Sequence, residues 1–354
     1  MSESRSRFGI PTHGPRYRYG NSHACCSNRR WRRPARGWAE RVWRSLSPAA
    51  CRLRRWRMAR GLALTGKQES VMEVATKWLG ATLDYCEHFG LQRMPFADNV
   101  NPEFFYRTQT HEAAFVKMMM CAKHHKALGL VWGRSGTGKT LLAQMLLSAF
   151  GEGEFIPVVI LATPGMSKMG LLACIADELE IPRPSGRENT QGYLDMIHSY
   201  LMDTYSRGQR VVVIVDEAHF LPSEQLHMIR ALTNLETPQE KLCTIIMLAE
   251  ETFPRRLRHK RYNSLRSRIA MSSYLMPMAR AETEQYIKFR LMVAGSTENI
   301  FAEDVYDPIH SYSGGICREV NKLGDNLLLE AYMRSEPRIT RTVLERCLQE
   351  HCLT

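Results

Sequence analysis

The sequence predicts a doubly wound α/β domain with a parallel sheet, followed by a small all-α lid domain. A glycine-rich stretch at 133–140 stands between an apolar run and a segment with helical periodicity. Apolar runs of strand length alternate with helical patterns up to residue 276, and only helical patterns follow residue 279. Strands that alternate with helices build parallel sheets with helices on both faces, which gives the predicted class.

The first predicted element is an amphipathic helix over 66–88, because apolar side chains recur there at helical spacing. A linker with prolines and aromatic residues follows, and the next helix is predicted at 110–125. Phe96 of the linker is expected either to form a wall that holds a nucleobase or simply to pack on the core. The helix and linker together make up a predicted segment over 66–112.

The α/β domain is predicted over 113–276. Its third strand is uniformly apolar, as is typical of a parallel strand that is covered on both faces. Five strands are expected at 127–132, 155–162, 211–217, 242–248 and 269–276. The helices between them are expected at 141–147, 167–179, 190–206 and 222–235. The lid domain, 277–354, is expected to contain helices at about 280–293, 301–312, 315–334 and 340–351.

Charge is distributed unevenly along the 354 residues, whose net charge is +12. Residues 1–60 contain 16 arginines, no lysine and two glutamates, so the rest of the chain is close to neutral. The extension over 1–65 has three interpretations: an arm that binds nucleic acid, a disordered segment, or a prefix before the true start at Met58 or Met72. The ten cysteines lie at irregular spacings, which indicates neither a zinc site nor a disulfide framework. No run is long enough to span a membrane, and we expect a cytoplasmic protein.

The stretch 133–140 has the order that a phosphate-binding loop requires: strand, glycine-rich turn, Lys-Thr and helix. Glycines let the backbone N–H groups point at phosphate oxygens, and the helix N-terminus adds a positive dipole. Lys139 can reach the β- and γ-phosphates, and the Thr140 hydroxyl can bind Mg²⁺. The predicted nucleotide-binding residues are Gly133, Ser135, Gly136, Thr137, Gly138, Lys139, Thr140 and Leu141.

Asp216 and Glu217 end the uniformly apolar strand. Open α/β sheets bind their ligands at the carboxyl ends of the strands. We expect Asp216 to hold Mg²⁺, directly or through water, and Glu217 to orient and polarise the attacking water. A solvated strand end is the alternative, and the phosphate-binding loop upstream favours the catalytic interpretation.

Two further groups of cations are candidates for the site. Seven basic residues lie between 255 and 268 in a stretch without an acid, and a solvated face is the ordinary interpretation. In an oligomeric ATPase, an arginine before the last strand can reach the γ-phosphate of the neighbouring subunit, and we expect Arg268 here, with Arg266 second. The other bases are candidates for nucleic-acid phosphates. Arg318 lies in the first turn of a predicted helix, where a cation suits an anionic ligand, and it is expected to report the γ-phosphate to the lid.

Taken together, these residues resemble AAA+ ATPases of the general secretion pathway protein A (ExeA) type and the related transposition ATPases (TniB, TnsC and MuB). The resemblance covers about 84–334 and depends on the motifs in combination. The matching segments are 89–91 with 95–96, 111–113, 133–140, 215–219, 232–237, 314–315 and 318–321.

The resemblance implies the AAA+ fold, ATP with Mg²⁺, and a homo-oligomeric ring or filament with sites shared between subunits. It also implies that Asn234 is a polar group near the γ-phosphate. The family usually has Gly-Gln-Pro-Glu-Leu after the fourth strand, whereas this sequence has Ala-Glu-Glu-Thr-Phe at 249–253. This departure leaves the first sensor position open, with Glu250 as the candidate. Secretion members continue beyond the lid into a membrane span and a peptidoglycan-binding domain, which this sequence lacks.

The sequence therefore predicts an ATPase that hydrolyses Mg-ATP between subunits. The leading hypothesis is a transposition regulator that binds DNA and recruits a transposase, because membrane parts are absent and 255–268 is basic. A secretion-type ATPase is the first alternative. A nucleotide switch that does not hydrolyse ATP and acts as a scaffold is the second.

Overall fold

A computed structural model describes residues 85–350, apart from 100, 152 and 183–188. The basic extension and most of the predicted helix over 66–88 lie outside the described residues, and so does most of the predicted loop at 182–188. The end of that first helix is described as α1, Tyr85–His88. All described residues belong to one compact unit.

Five parallel strands form a single sheet, which confirms the predicted fold class. Their order across the sheet is β2-β3-β4-β1-β5. Trp132, near the end of β1, pairs with Ala249 of β4 and with Tyr274 of β5, so the carboxyl ends of these strands lie at one edge. The strands are β1, Leu128–Gly133; β2, Phe155–Leu161; β3, Arg210–Asp216; β4, Cys243–Ala249; and β5, Ile269–Leu275.

Helices cover both faces of the sheet because successive side chains of a strand point to opposite faces. Val212 and Ile214 of β3 pack in one core with two of the helices, and Val211 and Val213 pack in the other core. The helices of the first core are α2, Gln109–Lys123, and α3, Lys139–Phe150. Those of the second are α4, Lys168–Glu178; α5, Thr190–Ser206; and α6, Ser223–Leu232.

The segment between β4 and β5 contains two short helices that the sequence pattern did not predict, α7, Thr252–Leu257, and α8, Asn263–Arg266. They are too short to show helical periodicity. Phe253, Leu257 and Leu265 anchor them in the core of the second face.

The chain after β5 is helical, as predicted, and has a core of its own. One predicted boundary is wrong: the helix expected from residue 301 begins at Tyr306, because Phe301 forms a bridge with Ile339. The linker packs into this core through Leu91, Phe96 and Phe104. The four helices are α9, Arg280–Val293; α10, Tyr306–Ser313; α11, Cys317–Met333; and α12, Arg341–Glu350. No helix in the described part of the chain is both long and apolar enough to cross a membrane.

Candidate nucleotide site

The predicted phosphate-binding loop connects β1 to α3 at the carboxyl edge of the sheet. Lys139, the first residue of α3, is 6% exposed, and its Nζ donates to the carbonyl oxygens of Gly133 at 3.1 Å and Arg134 at 3.0 Å. Burial lowers the pKa of Lys139, and the nearby Glu217 opposes this shift. Within the described residues, no carboxylate forms an ion pair with the Lys139 ammonium. A buried cation held only by neutral carbonyls fits the phosphates of a nucleotide.

Two glycines give the loop its shape. Gly136 and Gly138 have φ angles of 79° and 92°, a region that side chains disfavour. A Cβ at Gly136 would lie 2.7 Å from the Cβ of Arg318, and one at Gly138 would lie 2.9 Å from Nε2 of His111. The loop therefore has neighbours on both sides that leave no room for a side chain.

Thr140 and Asp216 are hydrogen-bonded to each other. The Thr140 hydroxyl donates to Oδ2 of Asp216 at 2.8 Å, and Oδ1 accepts from the backbone N–H of Glu217, also at 2.8 Å. Asp216 ends β3 and is 4% exposed, so both of its oxygens are fixed by these bonds. A hydroxyl and a carboxylate beside a phosphate-binding loop are the oxygen donors that Mg²⁺ accepts.

Glu217 lies in the same cavity as Lys139 and Thr140. Its backbone is left-handed, with φ of 52°, which turns the chain sharply after β3. Burial raises the pKa of the Glu217 carboxyl, and Asp216 adds to the shift. A carboxylate with a raised pKa is a better proton acceptor near neutral pH than an ordinary glutamate.

His219 lies between two carboxylates. Its Nδ1 is 3.3 Å from Oε2 of Glu217, and its Nε2 is 3.7 Å from Oε2 of Glu250. Glu250 directly follows β4, so the residue predicted at the first sensor position does lie at the carboxyl edge. The site thus contains a third carboxylate beside Asp216 and Glu217.

Arg318 connects the helical region to the phosphate-binding loop by hydrogen bonds. Its Nη1 donates to Oγ of Ser135 at 3.0 Å, and its backbone N–H donates to the Gly136 carbonyl at 3.2 Å. Arg318 lies in the first turn of α11, so the N-terminus of this helix touches the phosphate-binding loop. The phosphate-binding loop and the helical region are therefore in direct contact.

His111 of α2 supports the loop from the opposite side. The ring is 3% exposed, its Nε2 is 2.9 Å from the Thr137 carbonyl, and its Nδ1 is 2.6 Å from Oγ1 of Thr108. Because a carbonyl only accepts, Nε2 carries the proton and Nδ1 accepts from the threonine hydroxyl. Burial lowers the pKa of His111, which favours this neutral form. The edge of Phe105 packs on the same ring, at 5.5 Å between centroids.

The remainder of the cavity is lined by the linker and the helical region. The linker contributes Phe104, Phe105 and Tyr106, and the helices contribute Tyr286, Arg290, Cys317 and Asn321. Phe96, which the sequence placed in the nucleobase wall, is 2% exposed and packs against Gly324 in the core of the helical region. The structure thus shows the second position expected for Phe96, in which the ring packs on the core.

Asn234 and Arg268 lie away from the loop of their own subunit. The N–H of Leu242, directly before β4, donates to the carbonyl of Leu235, the residue after Asn234, and Arg268 directly precedes β5. Asn234 and Arg268 therefore both lie at the amino edge of the sheet. A seven-residue strand separates this edge from the loop, which is about 20 Å at 3.3 Å per residue. Asn234 therefore does not lie beside the phosphate-binding loop of its own subunit. Arg268, whose Nη1 lies 3.5 Å from the Thr233 carbonyl, can act only on a second subunit.

The basic segment 255–268 does not have one role. Arg256 is directed inward, and its two terminal nitrogens donate to the carbonyls of His219 at 3.1 Å and Leu221 at 2.6 Å. It therefore fixes the turn that carries Glu217, and it is not available to nucleic acid. Other basic side chains of the segment are exposed, namely Arg255, Arg258, Lys260, Arg261 and Arg266.

Several residues of the site carry no functional signal of their own in the sequence. His111 and His219 occur within longer matching segments, and the sequence assigns neither of them a separate role. Tyr286 and Arg290 carried no signal, because their pattern on α9 is that of any amphipathic helix. Only the fold brings them to the loop.

Residues 122–257 match the family described as an AAA domain. General secretion pathway protein A of Aeromonas hydrophila is 31% identical over 255 residues, which are 72% of this chain and 46% of that protein. The chain thus spans about half the length of this relative.

Two solved structures show the same fold. The ORC2 protein of Aeropyrum pernix, in ADPNP-ADP complexes, is 17% identical with a TM-score of 0.56, over 73% of this chain and 72% of that chain. Drosophila ORC, solved bound to DNA, is 15% identical with a TM-score of 0.56, over 75% of this chain and 66% of that one.

Proposed function

We propose, from the premise that the chain contains an AAA domain, that the protein binds Mg-ATP in this cavity and hydrolyses it. The observation that carries the proposal is the Thr140–Asp216 hydrogen bond, with Lys139 and Glu217 lining the same cavity. A phosphate-binding loop, two candidate ligands for Mg²⁺ and a half-buried base are the parts that phosphoryl transfer to water needs.

Each residue has a separate task in this proposal. Lys139 exchanges its two carbonyl partners for phosphate oxygens, which are stronger acceptors. Thr140 and Asp216 would hold Mg²⁺, which neutralises charge on the phosphates. Glu217 orients a water molecule and accepts its proton, and Arg318 stabilises negative charge from the lid side.

A second copy of the chain completes the site. Arg268 cannot reach the loop of its own subunit, and its segment is exposed at the amino edge of the sheet. Packing of this edge against the carboxyl edge of a neighbour would bring Arg268, with Asn234 beside it, to the neighbour's γ-phosphate. The protein would then be active only as a ring or filament.

Replacing Glu217 by glutamine tests hydrolysis. The amide has the size of the carboxylate but cannot accept a proton, so we expect ATP binding to persist and steady-state turnover to fall by about 10²-fold or more. Glu224→Gln is the matched control, since Glu224 is exposed on α6 and pairs only with Lys168 in the described part of the chain. Equal turnover in wild type and Glu217→Gln would refute the role of this residue.

DNA is the partner that the exposed bases favour. Arg255, Arg258, Lys260, Arg261 and Arg266 form no ion pair with any described residue, so their charge is available to phosphates. We therefore propose a cytoplasmic transposition regulator that assembles on DNA with ATP and recruits a transposase. The likeness to DNA-bound ORC is one of fold alone and does not extend to this role.

Filter binding across a salt series tests this role. Neutralising Z phosphates gives a slope of about −0.9Z in a plot of log affinity against log salt, so each base replaced by alanine should reduce the slope by about one. Arg341→Ala is the control, because Arg341 lies on α12 and pairs with Glu345. DNA binding that is absent, or unchanged by ATP, would exclude the transposition role.

Two other roles remain as candidates. The identity with general secretion pathway protein A favours a secretion-type ATPase, and intact turnover without DNA binding would support it. Glu250 beside Glu217 favours a switch that binds ATP without hydrolysis, since a third carboxylate opposes charge on the phosphate. Tight ATP binding by the wild type without any turnover would support that role.

A further inference from the structure

A directed chain of hydrogen bonds runs from α9 to α11 along the wall of the cavity. Nη1 of Arg290 donates to the Tyr286 hydroxyl at 3.1 Å, and this hydroxyl donates to Oδ1 of Asn321 at 2.8 Å. Arg290 and Tyr286 are 5% and 4% exposed, so water does not compete for these bonds. All three residues line the cavity beside the phosphate-binding loop.

The direction of the chain follows from its first member. A guanidinium only donates, so the Tyr286 oxygen accepts from Arg290 and its single proton must go to another acceptor. Asn321 provides that acceptor, which fixes Oδ1 toward Tyr286 and leaves the amide nitrogen on the other side. Burial raises the pKa of Tyr286, so the hydroxyl keeps its proton.

Arg290 is held firmly enough to set this direction. Its other nitrogens donate to the carbonyls of Pro95 and Ala97 in the linker, and its guanidinium lies 4.6 Å from the centroid of Phe104. None of the described carboxylates forms an ion pair with Arg290. The arginine therefore serves the linker and the tyrosine, and no acid draws it away.

The amide nitrogen of Asn321 is left with two N–H groups and, within residues 85–350 as described, no acceptor. Asn321 lies one turn after Arg318 on the same face of α11. Arg318 touches the phosphate-binding loop, whereas Asn321 is hydrogen-bonded to Tyr286, whose ring packs against Tyr106 at 5.9 Å between centroids. Asn321 therefore lies one turn beyond the residue that contacts the loop, on the side of the cavity that Tyr106 lines.

We propose that Asn321 donates a hydrogen bond to an acceptor atom of the nucleoside half of the bound nucleotide, and that Tyr286 and Arg290 are positioning residues that orient its amide. This inference rests on the proposed nucleotide site and adds a residue that reads the nucleoside. The acceptor is either a ring nitrogen of the base or a ribose oxygen.

The test compares binding of ATP with binding of inorganic tripolyphosphate, which has no nucleoside. Asn321→Leu keeps the branched shape of the side chain but removes the donor, together with the oxygen that accepts from Tyr286. One neutral hydrogen bond corresponds to about fivefold in affinity. We expect ATP to bind about fivefold more weakly to Asn321→Leu and tripolyphosphate to bind unchanged. Tyr286→Phe keeps the ring and frees the amide, so it should shift ATP affinity in the same direction, by less. Asn299→Leu is the control, since Asn299 is exposed in the helical region outside the cavity.

The outcomes separate this inference from the proposed function. Wild-type protein that binds neither ligand would refute the nucleotide site itself. Wild-type protein that binds ATP no more tightly than Asn321→Leu does would overturn the inference alone. Equal weakening of ATP and tripolyphosphate would also overturn it, because the effect would then be structural. Measurements with 2′-deoxy-ATP and 7-deaza-ATP test O2′ and N7 as the acceptor, since removal of the true acceptor abolishes the difference between wild type and Asn321→Leu.

Discussion

Replacing His111 by alanine tests whether the phosphate-binding loop depends on a residue outside its own motif. The substitution removes the donor to the Thr137 carbonyl, and Thr137 is 2% exposed, so water cannot replace the bond. A buried carbonyl without a partner costs about 1–3 kcal/mol. The lost packing of a small ring adds roughly 1–2 kcal/mol, so we expect a total destabilisation of about 3 kcal/mol.

Urea unfolding at constant pH gives this free energy, and thermal unfolding gives a second measure. In a domain of this size, 1 kcal/mol corresponds to about 2–4 °C, so the midpoint for His111→Ala should fall by about 6–12 °C. His111→Gln is the matched control, because its amide can still donate to the Thr137 carbonyl, and it should lose only about 1 kcal/mol. A free energy of unfolding for His111→Ala within 0.5 kcal/mol of wild type, roughly the scatter of a surface substitution, would refute the reasoning.

Wild type and His111→Gln should also differ in how the free energy of unfolding depends on pH. Burial lowers the pKa of His111 in the folded protein below its ordinary value near 6.5. The neutral form is therefore favoured by folding, and its contribution is fully present above about pH 6.5 and is lost as the pH falls toward the folded pKa. We expect the free energy of unfolding to fall more steeply below pH 6.5 in wild type than in His111→Gln.

Three further predictions concern the surroundings of Glu217 and the loop. Arg256→Ala should lower the free energy of unfolding in urea by about 2–3 kcal/mol and should lower turnover, because two charged hydrogen bonds to the turn 219–221 are lost. The control is Arg255→Ala at an exposed position, which should change the free energy of unfolding by no more than about 0.5 kcal/mol. Gly136→Ala should abolish nucleotide binding in calorimetry, because its Cβ would lie 2.7 Å from the Cβ of Arg318, and tight binding would contradict the contact. Glu250→Gln should move the acid limb of the pH–rate profile to lower pH, because Glu250 raises the pKa of Glu217. An acid limb that stays in place or moves to higher pH would contradict the influence of Glu250 on Glu217.

The sheet and the loop were predictable because their signals are local. A strand covered on both faces needs an unbroken apolar run, and 211–215 has one. The phosphate-binding loop needs glycines at fixed offsets before Lys-Thr, and the sequence shows them in order. The structure confirms the predicted strands to within one residue at each end.

The rest of the site depends on contacts between distant parts of the chain. His111 meets Thr137 across 26 residues, and Arg290 meets Pro95 across 195. No periodicity encodes such a contact. Phe96 and Arg256 are residues that the sequence makes appear free to bind a ligand, since one is an aromatic in a linker and the other an arginine in a basic run. Only the packing shows that both side chains make contacts inside the protein.

In the proposed nucleotide site, α11 would contact both the phosphate end and the nucleoside end of the ligand. Arg318 reaches the phosphate-binding loop from its first turn, and Asn321 faces the cavity one turn later. The same helix is anchored in the core of the helical region by Val320, Leu323 and Leu327, so its two polar side chains cannot move independently. In the proposed site, ATP would contact both side chains and so orient the helical region relative to the sheet, whereas tripolyphosphate would contact only Arg318. The helical region should therefore respond to ATP more than to the phosphate chain alone, and hydrogen exchange of α11 with either ligand would show whether it does.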